Sequence, residues 1–146
     1  MIIRDVEDRD ASIVKKYAQD FLEYYPVNID YDTTELLKVL EMVSEQGLFL
    51  VAETETDGVI GGVGGLISPH FYAPMHLLST EMFLWVAEEH RKSTVGPRLL
   101  KEFEKRSKEA GCKYIAMTST VHTPNFKSYL DKKGYKEAET AFLKEI

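Results

Sequence analysis

One cysteine leaves no partner for an internal disulfide, and Cys112, which follows Gly111 at the start of an expected strand, reads as a buried, inert thiol rather than a nucleophile. No apolar run approaches the ~20 residues that span a bilayer. Met1-Ile2-Ile3-Arg4 passes directly into polar sequence, where a signal peptide would carry an apolar core. A cytoplasmic protein without a membrane partner is the expectation. Positive charge is in deficit: 18 Lys and Arg stand against 24 Asp and Glu, a net charge of −6. Such a field repels nucleic-acid phosphates and suits a cationic or neutral partner. The histidines, His70, His76, His90 and His122, lack metal-ligand spacing with cysteine or carboxylate, so no metal is expected. The glycine run Gly61, Gly62, Gly64 and Gly65 lacks the helix that must follow a dinucleotide-binding loop, because Leu66-Ile67-Ser68-Pro69 continues extended.

What the chain does have is enough apolar surface for one domain over residues 1–146, with 44% hydrophobic and 29% charged residues. Residues 2–6 predict a short strand. Asp8 or Asp10 then caps a helix whose stripe of Ile13, Val14, Tyr17, Ala18, Phe21 and Leu22 has the spacing of one buried face, and Pro26 ends it. A second helix begins at Asp32 or Thr33, with Glu35 placed for a capping box and Leu36, Leu37, Leu40 and Val43 turned inward. Between them, residues 23–31 form an aromatic loop whose rings either pack the helices together or face a ligand. Residues 48–53 predict a strand, Thr56-Asp57-Gly58 a hairpin turn, and residues 59–67 the antiparallel return, whose glycines mark a bulge or a close backbone approach. His70, Phe71, Tyr72, Pro74 and His76 read as an aromatic loop.

Residues 81–110 carry the strongest pattern. Met82-Phe83-Leu84-Trp85-Val86 is continuous, apolar and too short for a buried helix, so it predicts a buried strand. Val95, Leu99, Leu100, Phe103 and Ser107 share one face at helical spacing, with Lys101, Glu102, Glu104, Lys105 and Lys108 opposite and Gly111 as the stop. Thr94 is placed to cap this helix, and Pro97 falls in its first turn, where a missing N–H costs no intrahelical bond. Between strand and helix, Arg91-Lys92-Ser93-Thr94-Val95-Gly96 offers unpaired N–H groups beside two cations: either an anion cradle or a solvated basic turn. Residues 113–118 predict a strand that, joined through a helical crossover, runs parallel to residues 81–86. A last helix starts at Thr123-Pro124 and stops before Gly134, and residues 135–144 predict one or two closing strands.

The strand ending in Val86, the loop with Arg91, Thr94 and Gly96, the helix after it and the later Gly134-Tyr135 resemble the GNAT superfamily of acyl-CoA N-acyltransferases, in its small phage and bacterial form. The family loop reads Arg/Gln-x-x-Gly-x-Gly/Ala, and Thr94 stands at its first glycine. The resemblance covers the chain in element order. It implies an α/β GNAT fold: a mixed, mostly antiparallel central sheet of six to seven strands with a parallel splayed pair, flanked by about four helices. It also implies acetyl-CoA as co-substrate, without a metal. The pantetheine arm would lie against Leu84, Trp85 and Val86, the pyrophosphate on Arg91, Lys92, Ser93, Thr94, Val95 and Gly96, with Asn125 contributing from the last helix. The helix-loop-helix would wall the acceptor site, making Tyr24, Tyr25 and Tyr31 substrate contacts. The tyrosine that commonly protonates the leaving thiolate in this family is replaced by Leu130, and Tyr129, one residue earlier, is rotated by about 100° on an ideal helix.

The activity so implied is acetyl transfer from acetyl-CoA to a primary amine, of a small molecule or peptide, by direct attack, with a homodimer left open. Glu81, at the start of the central strand, is the expected base, acting directly or through water, with Glu53 or an ordered water next in line. A backbone N–H near Val86 would polarise the thioester carbonyl. Tyr129 is either the acid or a bystander, since a thiolate of pKa about 8.5 leaves tolerably unaided. The alternative, kept open by Thr94 and Leu130, is a GNAT-shaped module that binds acyl-CoA or a protein without turnover.

Overall fold

Leu50, Val51 and Ala52 have no exposed surface, which explains why residues 48–53 read as an unbroken apolar run: the strand that holds them is covered on both faces. In the computed structural model, which describes residues 1–23, 27–119 and 124–146, that strand belongs to a five-stranded sheet. The strands are β1 (Ile2–Asp5), β2 (Gly47–Thr54), β3 (Gly58–His70), β4 (Ala73–Val86) and β5 (Cys112–Ala116), side by side in chain order. The first four pair antiparallel, and β5 runs parallel to β4. Helices α1 (Ala11–Leu22) and α2 (Thr33–Gln46) cover one face, where Val14 and Val43 meet Phe49 and Val51. Helix α3 (Val95–Glu109) covers the other, where Leu99 and Phe103 meet Leu50, Ala52 and Val63. Its buried residues, Val95, Leu99, Leu100, Phe103 and Ser107, are the face that the helical spacing selects. Helix α4 (Pro124–Lys132) follows β5. Among the described residues no helix is long and apolar enough to cross a membrane.

Where β3 passes β4, glycine removes the side chains that would collide. A Cβ on Gly62 would lie 2.9 Å from the indole nitrogen of Trp85, and one on Gly64 would enter the ring of Phe83. The expected close approach is therefore ring against backbone, on the face toward α1 and α2.

Several expectations need correction. The sheet has five strands rather than six to seven, because residues 135–146 form no strand. Tyr135 donates its hydroxyl to Glu104 at 2.6 Å and Glu137 pairs with Lys127, but Phe142 beyond them is 93% exposed. A strand that buries no apolar face does not offset its ordering entropy. The aromatic loop at residues 70–76 is instead a hairpin end, since β3 and β4 extend to His70 and Ala73 and leave only Phe71 and Tyr72 in the turn. Capping differs as well. Thr94 occupies the cap position of α3 without a side-chain bond, and the Ser93 hydroxyl accepts from the N–H of Val95 at 3.2 Å. Asp32 caps α2 through the N–H groups of Thr34 and Glu35, while the Glu35 carboxylate pairs with Lys38 instead of closing a capping box. Asp10 precedes α1, but its carboxylate takes both guanidinium nitrogens of Arg4, at 2.7 and 3.0 Å, and the N–H of Glu7. Pro26 and Thr123 lie outside the described residues.

Candidate active site in the gap between two parallel strands

The last paired residues of β4 and β5 are Thr80 and Ala116, yet β4 continues to Val86. Beyond that pair the strands part, and among the described residues no strand pairs with that edge of β4. Glu81 is the first residue past the parting. It is 5% exposed, and its Oε2 accepts the N–H of Thr118 at 2.9 Å, so the carboxylate spans the gap at its apex. Burial pushes this carboxyl up to about 7, with the Thr118 hydrogen bond pulling the other way.

The register of β4 against β3 shifts at the same point: Gly64 faces Phe83 and Gly65 faces Glu81, leaving Met82 as the extra residue of a bulge. Past the bulge, Phe83 and Trp85 pack toward α1 and α2, whereas Leu84 and Val86 pack toward α3. The Ala87 N–H goes to the Ile60 carbonyl on β3, so by strand alternation the backbone groups of Trp85 and Phe83 also face β3 and those of Leu84 and Val86 face the gap. The Val86 carbonyl there accepts from Arg91 Nε at 3.2 Å. The backbone of Trp85, expected to lie against the pantetheine arm, is on the β3 side by this alternation, and its ring stacks on Tyr17 at 3.8 Å between centroids.

The gap leads to the loop before α3. Arg91, Lys92, Ser93 and Thr94 are exposed there, and among the described residues the N–H groups of Thr94 and Gly96 have no hydrogen-bond partner. A positive φ of 66° falls on Lys92, while Thr94 sits at −85°, so the β-branched residue is not the one held in the left-handed region. A Cβ on Gly96 would meet only Val86 Cγ2, at 3.7 Å. Free donors, two cations and an open strand edge running toward them fit a long ligand with a phosphate at one end.

On the face of β4 toward α1 and α2, a cavity of about 280 Å³ lies between the helices and the strand, lined by Tyr17, Phe21, Leu36, Met82, Phe83 and Trp85 among others. Tyr31 does not line it, but borders a separate hollow along α2 with Asp30 and Lys38. Tyr24 and Tyr25 lie outside the described residues. In α4, Leu130 is buried, Asn125 is exposed, and Tyr129 stacks on Phe126 with Lys133 Nζ 5.6 Å from its ring centroid. Burial and the Glu104 carboxylate raise the Tyr129 hydroxyl above the usual tyrosine range. Glu53 is on β2, two strands from the gap, bound to Arg4 at 2.7 Å and to Arg9; Arg4 holds its carboxyl below the usual range, which suits a structural carboxylate rather than a base. Sequence reasoning missed Tyr17 and Thr118 as site residues, since the one reads as helix stripe and the other as strand end. Among the described residues no group of His, Cys, Asp and Glu is placed to hold a metal.

No curated protein sequence matches the chain. Solved structures do. A putative acetyl transferase from Pyrococcus furiosus has a TM-score of 0.78 at 24% identity, over 99% of both chains. An acetyltransferase from Trypanosoma brucei has a TM-score of 0.76 at 19% identity, again over 99% of both. Glucosamine-6-phosphate N-acetyltransferase from Arabidopsis thaliana has a TM-score of 0.71 at 18% identity, over 99% of this chain and 97% of that one. At such identities these likenesses establish the fold. The model of the Acetyltransferase (GNAT) family matches residues 12–130, from the first turn of α1 through the gap, the loop and α3 to Leu130, and the chain belongs to that family.

Proposed function

We propose that this single domain is an N-acetyltransferase that moves an acetyl group from acetyl-CoA to a primary amine by direct attack. The observation that carries the proposal is Glu81: a buried carboxyl with a pKa near 7 at the apex of a gap whose open edge leads to a cationic loop. Acetyl-CoA supplies the acetyl group as a thioester activated toward nucleophiles. The backbone of Leu84 and Val86 is turned to hold the extended arm of such a molecule, and the N–H that faces the gap is the donor for the carbonyl oxygen. Arg91, Lys92 and the free N–H groups of Thr94 and Gly96 take the pyrophosphate, Arg91 exchanging its bond to the Val86 carbonyl for the ligand.

Glu81 removes one proton from the incoming ammonium, directly or through a water, and burial raises its pKa to about 7, nearer to the pH at which it must accept that proton. The freed nitrogen lone pair then forms the C–N bond as the C–S bond breaks. Its electron pair goes to sulfur, and the second proton lost by nitrogen neutralises the thiolate. Tyr129 has no part in this scheme: α4 is regular through residues 124–132, Leu130 faces the core, and the Tyr129 ring is engaged with Phe126 and Lys133.

The test is thiol release from acetyl-CoA with a panel of amines. Release that needs both an amine and Glu81 supports the proposal. Stabilisation by CoA with no release from any amine would replace it by the non-catalytic binding module that Thr94 and Leu130 suggest.

A further inference from the structure

We infer that the acceptor is a small amine with an apolar body, aromatic or branched, seated between α1, α2 and β4, and not an amino sugar, a polyamine or a protein lysine. The inference rests on the acetyltransferase reading and names the substrate class of the same site. Its first ground is the lining of the cavity. Among the described residues, none of the 11 that line it is charged, and their side chains bring two nitrogen or oxygen atoms, the Tyr17 hydroxyl and the Trp85 indole nitrogen. A sugar or polyamine pushed into such walls would leave several hydrogen-bonding groups without partners, each at the cost of its lost hydration. An aryl or branched alkyl group gains there from burial alone. The volume of about 280 Å³ is just below the roughly 300–1,000 Å³ of drug-sized sites, which suits a small acceptor.

The second ground is the path from the cavity to the base. Met82 and Phe83, which line the cavity, directly follow Glu81 on β4, and the register shift of the strand falls at Met82. A body lying over Phe83 and Trp85 places an amine on a short stem next to the Glu81 end. The third ground is the floor. Gly62 and Gly64 let the Trp85 and Phe83 rings lie against β3, where any side chain would lift them into the space an acceptor needs. The glycine run, which binds no nucleotide, thereby acquires a role in recognition.

The experiment compares kcat/KM for 2-phenylethylamine and isopentylamine with that for spermidine, glucosamine 6-phosphate and a lysine peptide, in the whole protein at pH 8. The apolar amines should lead by at least about tenfold, the factor expected from burying one large side chain's worth of surface. The variants Ala18→Phe, which fills the cavity, and Gly62→Ala, which lifts the indole, should each raise the KM for 2-phenylethylamine several-fold while CoA affinity by calorimetry stays at the wild-type value. Unchanged CoA affinity also shows that each variant is folded; if Gly62→Ala alone fails to fold, Ala18→Phe still decides the matter. Turnover of spermidine, the sugar or the peptide at equal or higher kcat/KM would overturn the inference and leave the acetyltransferase reading standing. An unmoved KM in a folded Ala18→Phe protein would do the same. No release from any amine would overturn both.

Discussion

The carboxylate of Glu81 accepts the backbone N–H of Thr118 at 2.9 Å, across the point where β4 and β5 stop pairing. One hydrogen bond therefore ties the end of the parallel pair to the carboxylate proposed as the base. It also gives the buried oxygen a partner when the carboxyl is ionised.

Glu81→Gln keeps the shape and an acceptor for the Thr118 N–H but cannot take a proton. If Glu81 is the base, the variant's kcat should fall by about 10²–10⁴, with little change in the KM for acetyl-CoA, and the acid limb expected of the wild type near pH 7 should flatten. Steady-state rates from pH 5.5 to 9 check this. A wild-type profile in the variant would move the base elsewhere.

The same substitution should change stability in a pH-dependent way. The folded carboxyl holds its proton up to about 7, whereas the unfolded one releases it near 4.5. Between those values the folded state binds more protons, so wild-type stability falls as pH rises through the window and levels off above it. Glu81→Gln should match the wild type near pH 4.5 and exceed it at pH 8 by on the order of 3 kcal/mol. Urea unfolding at the two pH values reads the difference, and an equal offset at both would refute the buried-acid account.

Arg91→Ala and Gly96→Glu act on the loop before α3. Neither should cost much stability, since Arg91 is exposed and a Cβ at Gly96 meets only ordinary contact with Val86. Each should weaken CoA binding by about tenfold or more, the first by removing a charge-assisted donor and the second by placing a carboxylate among the phosphate donors. Calorimetric titration with CoA decides it; unchanged affinity in both would remove the loop from the site.

Tyr129→Phe should lower turnover by less than about tenfold, well short of the loss of a positioned acid. The hydroxyl is lost, but the stack on Phe126 and the contact with Lys133 remain. A hundredfold drop with intact CoA affinity would restore this tyrosine as the acid.

Two of the elements that frame the site were legible because periodicity reports burial. The 3.6-residue spacing of Val95, Leu99, Leu100, Phe103 and Ser107 is the buried face of α3, and the apolar run at residues 82–86 is the end of β4. The crossover between them required β5 to be parallel. The closing strands were overread, since residues 135–144 carry strand-like composition but find no apolar surface to cover. Glu81 could be named from its place on the strand, but a sequence gives no sign of solvent exclusion, and exclusion is what lifts its pKa. Only the tertiary structure decided that the parallel pairing stops at Thr80, that a bulge at Met82 turns Phe83 and Trp85 to one side, and that Tyr17 from a distant helix stacks on Trp85. Those outcomes depend on which residues from far apart in the chain share a surface, whereas local pattern specifies only which face of each element avoids water.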